Sequence, residues 1–154
     1  MAVQKLLLDT NIVLDFVGRR GPDFEQTRLL MLAGRVGEFS LWISLSQVTD
    51  LVYIMTNGGN KDKVSEALEK LRALRTFINV CTVGDTVIDR MLATTWSDPE
   101  DSLLVETALD LRADAIITRD ADFPKTDMIR VHDCPGFFAW LEREKGVSYA
   151  EIDV

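Results

Sequence analysis

The chain predicts an α/β domain, a three-layer sandwich with a central parallel sheet. Short apolar runs of strand length, such as Leu6-Leu7-Leu8 and Ala115-Ile116-Ile117, alternate with stretches whose apolar residues recur at helical spacing. The order reads βααβααβααβ-β-α, and strands alternating with helices imply a parallel sheet covered on both faces. The first and fourth strand-like runs stop at polar ends, Asp9-Thr10-Asn11 and Arg119-Asp120. Buried parallel strands end this way where they reach the surface, and ligands of open α/β sheets bind outside such carboxyl ends.

The elements follow in order. After the first strand, Ile12 to Val17 forms a short helix, broken by Gly18-Arg19-Arg20-Gly21-Pro22. Asp23 suits an N-cap for a helix from Phe24 toward Ala33, closed by Gly34 and Gly37. Phe39 to Ile43 is the second strand. Ser44 or Ser46 caps a helix whose stripe is Leu45, Val48, Leu51, Val52 and Met55, and Asn57-Gly58-Gly59-Asn60 ends it. Residues 62–75 form an amphipathic surface helix. Phe77 to Val83 is the third strand, and Gly84-Asp85 leads into a helix carrying Val87, Ile88, Met91 and Leu92. Asp98-Pro99-Glu100-Asp101 opens the next helix. Ala115 to Thr118 is the fourth strand and Met128 to Val131 the fifth. Pro135 sits in the first turn of a last helix, Gly136 to Lys145, and the tail 148–154 is expected to fray.

The 154 residues fit a single domain, 1–154, with one sizeable core. The first apolar run is cut by Asp9, too early for a signal peptide or membrane span, so a soluble cytoplasmic protein is expected. A net charge of −8 counts against generic phosphate binding, which calls for a basic surface. It suits solubility, a basic partner, or carboxylates gathered round a divalent cation. Cys81 and Cys134 are too far apart for a zinc site and read as small buried hydrophobes. The lone histidine, His132, lies in a strand-like stretch and is given no function.

Chemistry therefore falls to the acids. Asp9 and Asp120 both leave strand ends. Asp50 sits mid-helix, where aspartate is not chosen for propensity, although a solvated helix face would also accept it. Asp98 and Asp101 also suit an ordinary helix start, and Asp122 a turn. Like charges brought together cost free energy unless a cation neutralises them, and oxygen donors point to Mg²⁺ or Mn²⁺. Such an ion commonly serves phosphate chemistry. This reading requires several of these acids to converge on one coordination sphere.

In their order and spacing these residues resemble the PIN-domain nucleases, and among them the VapC-like toxins of bacterial toxin–antitoxin pairs. Leu8-Asp9-Thr10-Asn11-Ile12-Val13-Leu14-Asp15 resembles the opening motif. Ile43-Ser44 with Asp50 resembles the second, and Asp101-Ser102-Leu103-Leu104-Val105-Glu106-Thr107-Ala108 the third. Ile117-Thr118-Arg119-Asp120-Ala121-Asp122-Phe123 resembles the fourth, and Cys134-Pro135-Gly136-Phe137-Phe138 the last helix. The second acid is usually glutamate in the family; the shorter Asp50 would bind either directly or through a water. The resemblance implies a PIN-like sandwich, one or two Mg²⁺ or Mn²⁺ ions and hydrolysis of single-stranded RNA. It also implies a homodimer and inhibition by a small antitoxin protein. On that reading Asp9, Asp50, Asp101 and Asp120 are catalytic, with Asp9, Asp101 and Asp120 as metal ligands. Asn11 and Thr118 orient them, and Arg19, Arg20 and Arg119 are the nearest contacts for RNA phosphates.

Two other classes compete. A non-catalytic PIN-like module binding RNA or a protein is compatible with the acidic charge and with Asp50, but such a module need not keep all four acids. A phosphate-accepting receiver domain needs an Asp after a middle strand and a lysine after a late one. The third strand ends in Val80-Cys81-Thr82-Val83, and the late strand offers Arg130 and His132 instead.

Overall fold

The computed structural model describes residues 2–149. Its sheet holds β1 (Gln4–Leu8), β2 (Phe39–Ser44), β3 (Ile78–Cys81), β4 (Ala115–Ile117) and β5 (Arg130–His132). All neighbours pair in parallel, in the order β3-β2-β1-β4-β5. The helices are α1 (Thr10–Gly18), α2 (Phe24–Arg35), α3 (Leu45–Met55), α4 (Val64–Arg75), α5 (Asp85–Leu92), α6 (Pro99–Leu111) and α7 (Cys134–Lys145). Among the described residues no helix is long and apolar enough to cross a membrane.

Successive side chains of a strand face opposite sides of the sheet. Leu6 and Leu8 of β1, with Ala115 and Ile117 of β4, join a core with Ile12 and Val13 of α1, Leu30 of α2, Leu51 of α3, Leu74 of α4 and Phe137 of α7. Leu7 and Ile116, between them, face the other way and pack with Leu104, Val105 and Ala108 of α6. Both cores exclude water from the middle of the sheet, which accounts for apolar runs without polar alternation. The three-layer sandwich is thus the observed architecture. From β1 the chain moves outward to β2 and β3, then returns to the other side of β1 as β4 and β5. The carboxyl ends of β1 and β4 therefore flank the point where strand order reverses, the usual place for a crevice.

Several boundaries differ from the sequence expectation. Gly34 does not end α2. It lies inside the helix because a Cβ there would stand 2.3 Å from Leu41 Cδ1, so the glycine lets α2 approach β2. β3 stops at Cys81, and residues 82–83 lead out without pairing. β5 is Arg130–His132 instead of Met128–Val131, since its register is fixed by β4 and Met128 is exposed. α7 begins at Cys134, one residue before Pro135, because Asp133 caps it by accepting from the Gly136 N–H at 2.7 Å. Cys81 and Cys134 are free and buried. Residues 150–154 of the tail expected to fray lie outside the described part.

Candidate metal centre at the carboxyl edge of the sheet

Asp9 leaves β1 still paired to its neighbour, its N–H donating to the Ile117 carbonyl at 2.8 Å. Its carboxylate is held on both oxygens. Oδ1 accepts from the Thr10 N–H and Oδ2 from the Thr118 hydroxyl, each at 2.7 Å. Thr118 is buried and its Oγ1 accepts in turn from the Asp120 N–H at 3.1 Å. One threonine thus ties together the two acids that leave adjacent strands. Asp120 Oδ1 accepts from the Asp122 N–H at 2.9 Å, which makes Asp122 the turn residue expected.

The other acids are placed by helix starts. Ser44 caps α3 in a capping box: its hydroxyl accepts from the Gln47 N–H, and its own N–H donates to Gln47 Oε1 at 2.8 Å. The buried Gln47 amide also donates to the Leu8 carbonyl at 2.7 Å and to Thr10 Oγ1 at 3.3 Å. This fastens α3 to the end of β1 and presents Asp50, three residues on, along the same side of the helix. Asp98 caps α6, accepting from the Glu100 and Asp101 N–H groups at 3.0 and 3.4 Å, with Pro99 in the first turn. The ordinary helix start expected of this segment is therefore real, and it delivers Asp101 to the site.

Asp9, Asp50, Asp98, Glu100, Asp101 and Asp120 all line one cleft of about 570 Å³. Asn11, Ser46 and Tyr53 line it too. Partial burial, then the charges of Asp98, Asp120, Asp9 and Glu100, push the Asp101 carboxyl up to about 6. Burial and the charges of Asp50, Asp98 and Asp9 raise Glu100 as well. The starts of α1, α3 and α6 open onto this cleft, and their partial positive charge offsets some of the repulsion. Glu100 was not singled out in the sequence. Its only signal was a second acid beside Asp101 in a helix's first turn, which dipole complementarity alone explains.

The family profile of the PIN domain matches residues 5–122. The chain belongs to the PIN domain family. No curated protein matches it. Among solved structures, a chain from VapBC2 of Rickettsia felis bound to a DNA fragment from their promoter aligns with a TM-score of 0.62 at 14% identity. The alignment covers 84% of this chain and 98% of that one. A chain from a toxin–antitoxin complex of Klebsiella pneumoniae aligns with a TM-score of 0.59 at 22% identity, covering 80% of this chain and 94% of its own. At these identities the shared property is the fold.

The cleft of this PIN domain offers oxygen donors and no imidazole or thiolate, which is the chemistry of a hard divalent cation. Among the described residues no three ligating side chains already stand in coordinating positions. The expectation that Asp9, Asp101 and Asp120 converge on one sphere is corrected to that extent: they share a cleft but not yet a sphere. The reason is physical. Unneutralised carboxylates repel, and Asp9 and Asp120 are meanwhile held by local hydrogen bonds.

The three arginines are placed differently from one another. Arg20 and Arg119 both reach the carboxylate of Asp15 on α1. Arg19 ends α1 in the left-handed region, with φ 50°, and lines a separate groove with Arg28, Arg35 and Lys70. His132 sits beside Phe137 and Trp140, and burial lowers its pKa, so it is a neutral ring packed among aromatics.

Proposed function

We propose that this PIN domain is a divalent-metal-dependent endoribonuclease acting on single-stranded RNA, and that it is the toxin of a type II toxin–antitoxin pair. The observation that carries the proposal is the meeting of Asp9, Asp50, Asp101 and Asp120, from four separate stretches of sequence, in one cleft where partial burial and neighbouring charges, those of Asp120 and Asp9 among them, raise the Asp101 carboxyl. Asp9, Asp101 and Asp120 would hold Mg²⁺ or Mn²⁺, with Asp50 reaching it directly or through a water. Bound there, the ion would activate a water and neutralise charge on the phosphoryl oxygens.

The chain's own residues do the rest. Thr118 and the Thr10 N–H fix the Asp9 carboxylate. Asn11, exposed at the cleft, offers an amide to a ligand or to the attacking water. With no histidine or cysteine lining the cleft, proton acceptance falls to carboxylates. For phosphates flanking the scissile bond we propose the solvent-facing parts of Arg20 and Arg119, since Arg19, also expected there, opens onto a separate groove.

The groove that holds Arg19, Arg28, Arg35 and Lys70 is also lined by the half-buried Phe16, Phe24 and Phe77, and Glu25 is its single acid. In a chain of net charge −8 this cationic, apolar surface suits an acidic amphipathic segment, and we assign it to the antitoxin. The proposal extends to a homodimer working in the cytoplasm.

The test is cleavage of a labelled single-stranded RNA panel by the purified chain, in Mg²⁺ or Mn²⁺ and in EDTA. Metal-dependent cleavage is expected. Metal binding without cleavage of any RNA would instead favour a non-catalytic module.

A further inference from the structure

Asp15 is the one charged residue among the described residues that is buried, at 2% exposure. It faces inward from α1, in the apolar run Ile12-Val13-Leu14 and Phe16-Val17. Its carboxylate accepts from Arg119 Nε at 2.5 Å on Oδ2, and from Arg119 Nη2 at 3.4 Å and Arg20 Nε at 3.2 Å on Oδ1. The turn after α1 wraps over it. The Arg20 N–H donates to the Asp15 carbonyl at 3.0 Å, and Gly21, at φ 95°, passes so close that a Cβ would lie 3.0 Å from Oδ2.

A buried carboxylate held by partly exposed arginines adds little to stability alone, since apolar residues of similar volume commonly do as well. What it supplies is direction: a guanidinium fork gripping a carboxylate fixes both partners. The gripped residue is significant here. Arg119 stands between Thr118, which binds Asp9, and Asp120, which lines the acidic cleft. Anchoring the side chains of two consecutive residues leaves the third little freedom.

We propose that Asp15 is a positioning residue for Asp120, acting through Arg119, so that the segment leaving β4 is clamped to α1 and holds Asp120 at the metal site. This rests on the metal reading of the cleft. Arg119 then works chiefly through Asp120, and any phosphate contact by its exposed part is secondary.

The experiment measures Mn²⁺ binding to the full chain by calorimetry for the parent, Asp15→Asn, Arg119→Gln, Arg119→Lys and the double variant Asp15→Asn/Arg119→Gln. Each is accompanied by a melting curve and by hydrogen exchange of the Asp120 amide in metal-free protein. Each single substitution should weaken Mn²⁺ binding roughly 10–100-fold, as outer partners of metal ligands do. The Asp120 amide should exchange about tenfold faster or more as the segment opens more easily. The double variant should be no weaker than the worse single one, because both break the same contact. Arg119→Lys should recover little, since an ammonium lacks the fork. The proposal is overturned if Arg119→Gln leaves Mn²⁺ affinity and Asp120 exchange unchanged and only raises KM for RNA, with Arg119→Lys restoring it. If Asp15→Asn does not fold, Arg119→Gln decides, because its side chain is 37% exposed. Should the parent bind no Mn²⁺, the metal reading fails by itself. Asp120 exchange in the variants then still upholds or refutes the clamp.

Discussion

The charge crowding at Asp101 makes metal stabilisation depend on pH in a definite direction. In the metal-free fold its carboxyl is pushed up to about 6 from an ordinary 3.8, first by burial and then by Asp98, Asp120, Asp9 and Glu100. A carboxyl raised in the folded state favours the fold when protonated. Its contribution is therefore fully present below about pH 4 and lost as pH rises through about 6. A cation binds the ionised form, so it opposes that loss above pH 6 and competes with a proton below it. At pH 8 and about 100 times its dissociation constant, the ion adds roughly 2.7 kcal/mol. For a domain of this size that is about 5–11 °C in Tm. At pH 5 a carboxyl titrating near 6 is about nine-tenths protonated, which weakens binding by roughly tenfold at most, solvent screening making this an upper bound. At the same metal concentration the shift in Tm should fall to about half. The assay is thermal unfolding at pH 8 and pH 5, with Mn²⁺ against EDTA. Equal shifts at the two values would refute the role given to Asp101, and no shift at either would refute the metal site.

Thr118→Val removes the hydroxyl that donates to Asp9 and accepts from the Asp120 N–H in a buried setting, and should cost about 1–3 kcal/mol in urea unfolding. An unchanged midpoint would contradict that geometry. Gly34→Ala raises helix propensity but places a methyl 2.3 Å from Leu41 Cδ1, so it should destabilise by about 1–3 kcal/mol in a thermal melt. A gain in stability would show that α2 and β2 are not packed this closely. Asp50→Asn should slow RNA cleavage less than loss of a direct ligand does, and His132→Ala should leave the rate per folded molecule unchanged. Rate measurements on folded variants check both.

The sheet was legible because its central strands are wet on neither face. Leu6-Leu7-Leu8 and Ala115-Ile116-Ile117 have no polar alternation, and Asp9 and Asp120 mark where each emerges. Strand ends at the edges were less legible. The limits of β5 are set by pairing with β4, and hydropathy carries no information about that partner. Asp101 was ambiguous for a physical reason: the same turn serves as a helix start and as a ligand platform, with Asp98 filling the first role. Gln47 resembled any polar residue on a helix, since its bonds to Leu8 and Thr10 lie 39 and 37 residues back. Asp15 carried no signal of its own. Its partner Arg119 is 104 residues away, and in sequence Arg119 was read as a contact for RNA phosphates.

The most direct test of the nuclease account is the cleavage rate of Asp9→Asn against the parent, on labelled single-stranded RNA in Mg²⁺ or Mn²⁺. The substitution keeps the shape of the side chain that Thr10 and Thr118 hold, while removing the charge that a cation needs. The account predicts a fall of orders of magnitude with the fold intact by circular dichroism and melting. An Asp9→Asn variant that cleaves as fast as the parent would contradict it.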